Sequence, residues 1–232
     1  YGSLTQEAAQ DLEKWVKAGY NIIISGGTGS GKTTFLNALS QYIPSTDRVI
    51  TIEDSAELQL QGIPNLVRLE TRDSKGEGTT AITIRDLIRS SLRMRPDRII
   101  VGEVRGSEAI DMLQALNTGH DGSLSTGHAN SATDMLMRLE TMVLMGMDLP
   151  LNAVRRQIAS GVDIIVQLGR LRDKSRKVLE IVEITGYENG EIITRPLYQF
   201  QEMGTDEEGH VMGQLQMCNP LMHTDKLLAA GL

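Results

Sequence analysis

A chain of 232 residues, 40% hydrophobic and 23% charged, can build one large domain, or a domain with a small appendage, around a sizeable core. Its net charge of −7 argues against a general nucleic-acid or anionic-membrane binder, so no nucleic-acid partner is expected. A single cysteine, Cys218, excludes an internal disulfide and fits a reducing compartment, and no apolar run approaches a membrane span, so no membrane insertion is expected.

Taken in order, Ser3-Leu-Thr-Gln6 fits a capping box, and Leu4, Ala8, Leu12, Trp15 and Val16 follow at helical spacing to an end near Gly19. Residues 22–25 form a short apolar run that predicts a buried strand, followed by a glycine-rich turn and a helix that Pro44 stops. Residues 48–53 read as a strand ending in Glu53-Asp54, and residues 66–70 alternate weakly as another. The polar, glycine-containing stretch 72–80 reads as a mobile loop, and residues 81–94 as a helix with Ile84, Leu87, Ile88 and Leu92 on one face. Residues 98–103 are a buried strand ending in Glu103, and residues 107–117 a helix. Residues 122–126 are a short strand, and Ser131-Ala-Thr-Asp134 opens a Met- and Leu-rich helix to about Met145. After a helix over 151–160, strands are predicted over 163–168, 178–185, 191–194 and 197–200, with a hairpin turn at Asn189-Gly190. The end of the chain, 201–232, reads as a glycine-rich acidic tail with a short helix. The alternation of strand and helix predicts an α/β fold with a mostly parallel sheet flanked by helices and a C-terminal antiparallel strand extension.

The turn after the first strand carries chemistry. Gly26, Gly27, Thr28, Gly29, Ser30, Gly31, Lys32 and Thr33 fill the Gly-four-residues-Gly-Lys-Thr pattern of a phosphate-binding loop, with Thr34 following. Glycines let successive N–H groups curl inward, the helix start adds its positive end, Lys32 reaches the outer phosphates, and the Thr33 hydroxyl is placed to ligate Mg²⁺. In a parallel sheet ligands gather at the carboxyl ends of the strands. Those ends carry the loop, Glu53-Asp54, Glu103, and the Thr126-Gly-His128 segment. A carboxylate at Glu103 can polarise an attacking water or hold Mg²⁺ through a water, and Glu53 shares its position, so the two acids are not separable from sequence. His128 falls near the γ-phosphate if its strand neighbours the loop strand, whereas His120 reads as structural. The ridge Arg85, Arg89 and Arg93 reads equally as a solvated face or as a contact across a subunit boundary.

These residues resemble a known family, the secretion-superfamily ATPases that drive type II and type IV secretion and pilus assembly. The likeness is carried in order by residues 26–33, Thr51-Ile-Glu-Asp54, residues 95–105 and residues 118–128, and it extends from about Leu4 to Phe200. Residues 117–129 followed by Arg138-Leu-Glu140 are most like the CpaF branch, the motor of tight-adherence (Flp) pili. The resemblance implies a RecA-like P-loop motor domain over residues 1–200, with ATP and Mg²⁺ as cofactors. It implies that residues 26–34 bind the nucleotide, that Glu53 belongs to an acidic box positioning water or metal, and that Glu103 is the catalytic carboxylate. His128 becomes a sensor of the γ-phosphate, and Arg105 supports the site. The Gly102-Glu103 wording lacks the metal-binding Asp of general P-loop ATPases, which leaves Mg²⁺ dependent on Thr33, Glu103 and waters. It further implies a homo-hexameric ring, cytoplasmic and peripheral at the inner membrane, acting on a platform protein of a pilus or secretion machine. Such proteins carry a preceding N-terminal domain, and the chain starts at Tyr1 and reaches the loop within one helix. The resemblance thus implies that this motor half alone binds ATP weakly and hydrolyses it slowly. The alternatives are a nucleic-acid motor, opposed by the acidic charge and the absence of an aromatic run, and a nucleotide switch that does not turn over.

Overall fold

The computed structural model describes residues 2–74 and 80–232; residues 75–79 of the expected mobile loop lie outside the described part. At the edges of that stretch, Arg72 bridges Ile82 in antiparallel fashion. Among the described residues, nine strands form one sheet in the order β3-β2-β4-β5-β1-β6-β7-β8-β9. Strands β1 (Ile22–Gly26), β2 (Arg48–Glu53), β3 (Asn65–Glu70), β4 (Arg98–Val104), β5 (Leu124–Gly127) and β6 (Ile164–Arg170) run parallel to one another. Strands β7 (Arg176–Glu188), β8 (Glu191–Thr205) and β9 (Val211–Met217) extend that sheet in antiparallel fashion.

The apolar runs are continuous because both faces of the sheet are covered. Ile22 and Ile24 join one cluster with Leu12, Trp15 and Val16 of α1 (Gln6–Ala18) and Leu36 and Leu39 of α2 (Lys32–Ser40). Ile23, between them, joins the opposite cluster with Ile88 of α3 (Ile84–Ser91), Leu113 of α4 (Ala109–Leu116), Leu139 of α5 (Ala132–Gly146) and Ile158 of α6 (Leu151–Gly161). Each such fully buried aliphatic side chain contributes about 1.5–3 kcal/mol relative to its exposed state. The two faces hold the loop strand rigidly from both sides.

Several boundaries differ from the sequence reading. Thr5, not Ser3, caps α1 by accepting the Ala8 N–H, and α1 ends on Gly19 at φ 86, a left-handed conformation suited to glycine. Helix α3 starts late because Thr83 and Asp86 form a reciprocal capping box there, and it tightens into a 3₁₀ turn over Leu92–Met94. The strands expected over 191–194 and 197–200 are one strand, β8: Pro196 sits opposite Val182, where a register shift between Ile181 and Val182 absorbs its missing N–H. The presumed break at residue 200 falls inside β8, and the tail beyond it supplies β9, whose Val211 and Leu215 are buried. The expected short helix is α7 (Asp225–Ala230). Asn189 and Gly190, at φ 50 and 88, form the expected hairpin turn.

Candidate functional site

Strand β1 lies between β5 and β6, with β4 and β2 next beyond β5, so the groups at their carboxyl ends meet on one rim. The glycine loop leaves β1 and turns directly into α2. Gly29 and Gly31 adopt φ 73 and 94, and Gly31 is the N-cap of α2 with no side chain bonded to the helix start. The first N–H groups of α2 are therefore left for a ligand. Lys32 is only 8% exposed. Its Nζ donates to the carbonyls of Gly26 and Gly27, each at 3.0 Å, and stands 3.4 Å from His128 Nδ1. Burial holds the Lys32 ammonium below the usual lysine pKa, while the Glu103 carboxylate pulls it back up. An arriving anion opposes the same burial penalty, which suits a cation kept for a phosphate. Ser30 Oγ is buried without a partner in the same turn.

The two acids occupy different surroundings. Glu53 is 4% exposed, and its Oε1 accepts the N–H groups of Glu57 at 3.0 Å and Leu58 at 2.8 Å, tying down the segment after β2. Glu103 stands at the register shift between Val101 and Val104, an irregularity of the kind that re-aims a side chain. Its Oε1 comes within 2.5 Å of His128 Nε2, and yet it lacks a hydrogen bond of good geometry and is otherwise buried without a partner. Its Oε2 is 3.5 Å from Arg105 Nε, and Arg105 also pairs with Asp54. Because Arg105 is 58% exposed, these pairs orient groups more than they stabilise the fold. The order Lys32, His128, Glu103 places an imidazole between a cation and an anion.

Gly102 makes room for this arrangement. A Cβ there would stand 3.0 Å from Glu53 Cγ, and the Gly102 carbonyl accepts the Thr126 hydroxyl at 2.6 Å, so neither neighbour yields freely. Gly102→Ala is expected to lower the melting temperature by about 2–6 °C, the result of roughly 1–2 kcal/mol of overpacking. A melting curve superimposable on that of the parent chain would show that Glu53 moves aside at no cost.

Together the loop, Glu53, Asp54, Glu103, Arg105, Thr126 and His128 line a cleft of about 480 Å³ that also includes Thr28 and Thr33. Of the ridge Arg85, Arg89 and Arg93, the first two pair with Asp111 on α4, itself 3% exposed, at 2.6 and 2.7 Å, far from the role of free surface cations. His120 bonds the Ala115 carbonyl. Two residues near the rim escaped the sequence reading. Gln167, 3% exposed, donates from Nε2 to the carbonyl of Ala129 just past His128, and a polar residue inside the apolar run 164–168 was the available signal. Arg176 donates from Nε to the Gly29 carbonyl, and nothing local in the sequence announces it.

Residues 1–226 match the family described as Type II/IV secretion system protein. The chain belongs to that family. Within it, the conjugal transfer protein TrbB of Rhizobium radiobacter is 39% identical over 202 residues, covering 86% of this chain and 59% of TrbB. The type IV secretion system protein PtlH of Bordetella pertussis is 42% identical over 171 residues, covering 72% of this chain and 50% of PtlH. The crystal structure of the VirB11 ATPase from the Brucella suis type IV secretion system, in complex with sulphate, superimposes with a TM-score of 0.69 at 38% identity, over 75% of this chain and 51% of that one. The chain spans about half the length of the curated relatives it matches. This secretion-system family matches the superfamily resemblance of the sequence motifs, and the VirB11 structure has the same α/β fold.

Proposed function

We propose that this chain is the ATP-hydrolysing motor unit of a type II/IV secretion or pilus machine. One observation carries the reading. A near-buried lysine on a glycine loop faces a rim where an acid, Glu103, holds an unpartnered buried oxygen beside His128. Phosphoryl transfer asks for little covalent chemistry from the protein; it asks for a cradle, cations for the phosphates and a group that aligns water. Residues 26–34 are the cradle, with Lys32 toward the outer phosphates. Glu103 orients the attacking water and accepts its proton. His128 reports the γ-phosphate to Glu103, and Arg105 bridges Glu103 and Asp54 at the mouth.

Mg²⁺ fits this donor set. Among the described residues no cluster of His, Cys, Asp and Glu holds a metal unaided, and Thr33 with water-bridged Glu103 is the partial set a nucleotide-borne ion needs. When bound it neutralises phosphate charge. The reading extends to a homo-hexameric ring, peripheral on the cytoplasmic side of the inner membrane and acting on a platform protein. Among the described residues no helix is long and apolar enough to cross a membrane. At branch level, residues 117–129 and Arg138-Leu-Glu140 favour a CpaF-like tight-adherence motor. Finding Flp pilin and platform genes beside this one would support that branch, and a conjugation cluster there would exclude it.

The decisive measurement is phosphate release by the assembled protein with ATP and Mg²⁺. Turnover on the order of 0.1–10 s⁻¹ is expected, at or below the ordinary range for enzymes that position phosphates. Nucleotide binding without any phosphate release would leave a switch in place of a motor.

A further inference from the structure

We propose that Arg176 is a positioning residue of the nucleotide site, holding the phosphate loop in its anion-receiving conformation; the inference rests on the nucleotide reading of residues 26–34. Arg176 Nε donates to the Gly29 carbonyl at 2.8 Å, across 147 residues of sequence. Gly29 lies at φ 73, and a Cβ built at Gly27 or Gly29 meets no atom within 4 Å. Lys32 holds the carbonyls of Gly26 and Gly27, and Ser30 N–H makes a long bond of 3.3 Å to Gly27. Among the described residues, no other hydrogen bond reaches the Gly29 carbonyl. Because a peptide is planar and trans, fixing that carbonyl also fixes the direction of the Ser30 N–H on the other side of the bond. A glycine-rich loop freed of this contact samples many more conformations, and an anion must then select the competent one.

The arginine itself stands on a rigid support. It opens β7 directly after a tight turn in which Asp173 accepts the Ser175 N–H at 2.9 Å, the Ser175 hydroxyl at 2.7 Å and the Val211 N–H of β9 at 2.7 Å. The Leu171 N–H closes the same turn on the Ser175 carbonyl at 2.8 Å. Across the hairpin Arg176 faces Arg170. Like charges directly opposite on paired strands are destabilising, and a bound anion nearby offsets that repulsion. The antiparallel extension thus reaches back to the loop, and Arg176 is where it touches.

The test uses Arg176→Ala and Arg176→Gln in the chain, with binding of ADP and of inorganic pyrophosphate measured by calorimetry and amide exchange followed across residues 27–31. Arg176→Ala is expected to weaken both anions alike, about 3- to 10-fold, as loss of one positioning hydrogen bond predicts, and to speed exchange of the loop amides. Arg176→Gln keeps a neutral donor and is expected to recover part of the affinity; should the alanine variant fail to fold, Arg176→Gln decides by falling between wild type and Lys32→Met. Unchanged affinity and exchange, in a chain whose wild type binds and whose Lys32→Met variant does not, overturn the positioning role alone. A loss for ADP with pyrophosphate unaffected also overturns it, because Arg176 would then be contacting base or ribose. A wild-type chain that binds neither anion overturns the nucleotide reading, and this inference with it.

Discussion

Replacing Lys32 by methionine is expected to lower the affinity for ADP by roughly 10- to 150-fold, while the melting temperature stays level or rises. The two halves of this result have one cause. The ammonium is nearly buried on the floor of the cleft and makes hydrogen bonds to two carbonyls, with no carboxylate within ion-pairing distance among the described residues. A charge-assisted hydrogen bond to a phosphate contributes about 1.5–3 kcal/mol, and methionine removes it while keeping the bulk of the stem. Stability moves the other way because burial lowers the Lys32 pKa from its ordinary 10.5. A base whose folded-state pKa is depressed carries fewer protons folded than unfolded, between that lowered value and 10.5. Its charge therefore costs the folded state in full at neutral pH, and stability recovers as pH climbs through that window. The variant should lose this alkaline gain. Calorimetry and melting curves at pH 7 and 10 check both halves; ADP affinity that survives the substitution would remove Lys32 from the site.

The positions of the phosphate loop, the strand-end acids and His128 were legible because each is local. A glycine pattern between an apolar run and a helix is readable in order, and acids that close apolar runs fall at the carboxyl rim of any parallel sheet. Ser131 likewise caps α5 through the Asp134 N–H, as its four-residue pattern suggests. Other features were decided by residues distant in sequence. Glu53 and Glu103 look alike in the chain; what separates them is that Glu53 takes the nearby Glu57 and Leu58 N–H groups, whereas His128, 25 residues on, comes up against Glu103. Arg85 and Arg89 look like a solvated ridge until α4 brings Asp111 beneath them. The late strand β9 was hidden because its buried positions, Val211 and Leu215, are spaced by glycine and glutamine rather than by a clear alternation. The two strands expected over 191–194 and 197–200 are one because β8 carries an extra residue, Leu197, between the pairs Val182–Pro196 and Ile181–Tyr198, which lets the ladder continue past the proline. Arg176 had no local signature at all, since its partner is a backbone carbonyl 147 residues away.

Glutamine substitutions at the two acids are expected to part company in the assembled protein. Glu103→Gln should reduce ATP turnover by about 100-fold or more while ATP affinity holds or improves, since general-base assistance is worth about 10²–10⁴ in rate and the carboxylate's charge repels the phosphates. Glu53→Gln should keep turnover within about tenfold of wild type, because its amide oxygen still accepts the Glu57 and Leu58 N–H groups that occupy Glu53 Oε1. Glu53→Ala takes that acceptor away and leaves the buried Leu58 N–H unpaired, at a cost of about 1–3 kcal/mol, so its defect should appear first as a lowered melting temperature. The contrast follows from surroundings rather than residue type. Glu53 is engaged in holding backbone, whereas Glu103 keeps an oxygen with no satisfactory donor beside a histidine and an arginine. Phosphate release measured under saturating ATP, with affinity determined separately, gives both quantities for each variant. Unchanged turnover in Glu103→Gln, or a 100-fold loss confined to Glu53→Gln, would exchange the two roles and make Glu53 the acid that works on water.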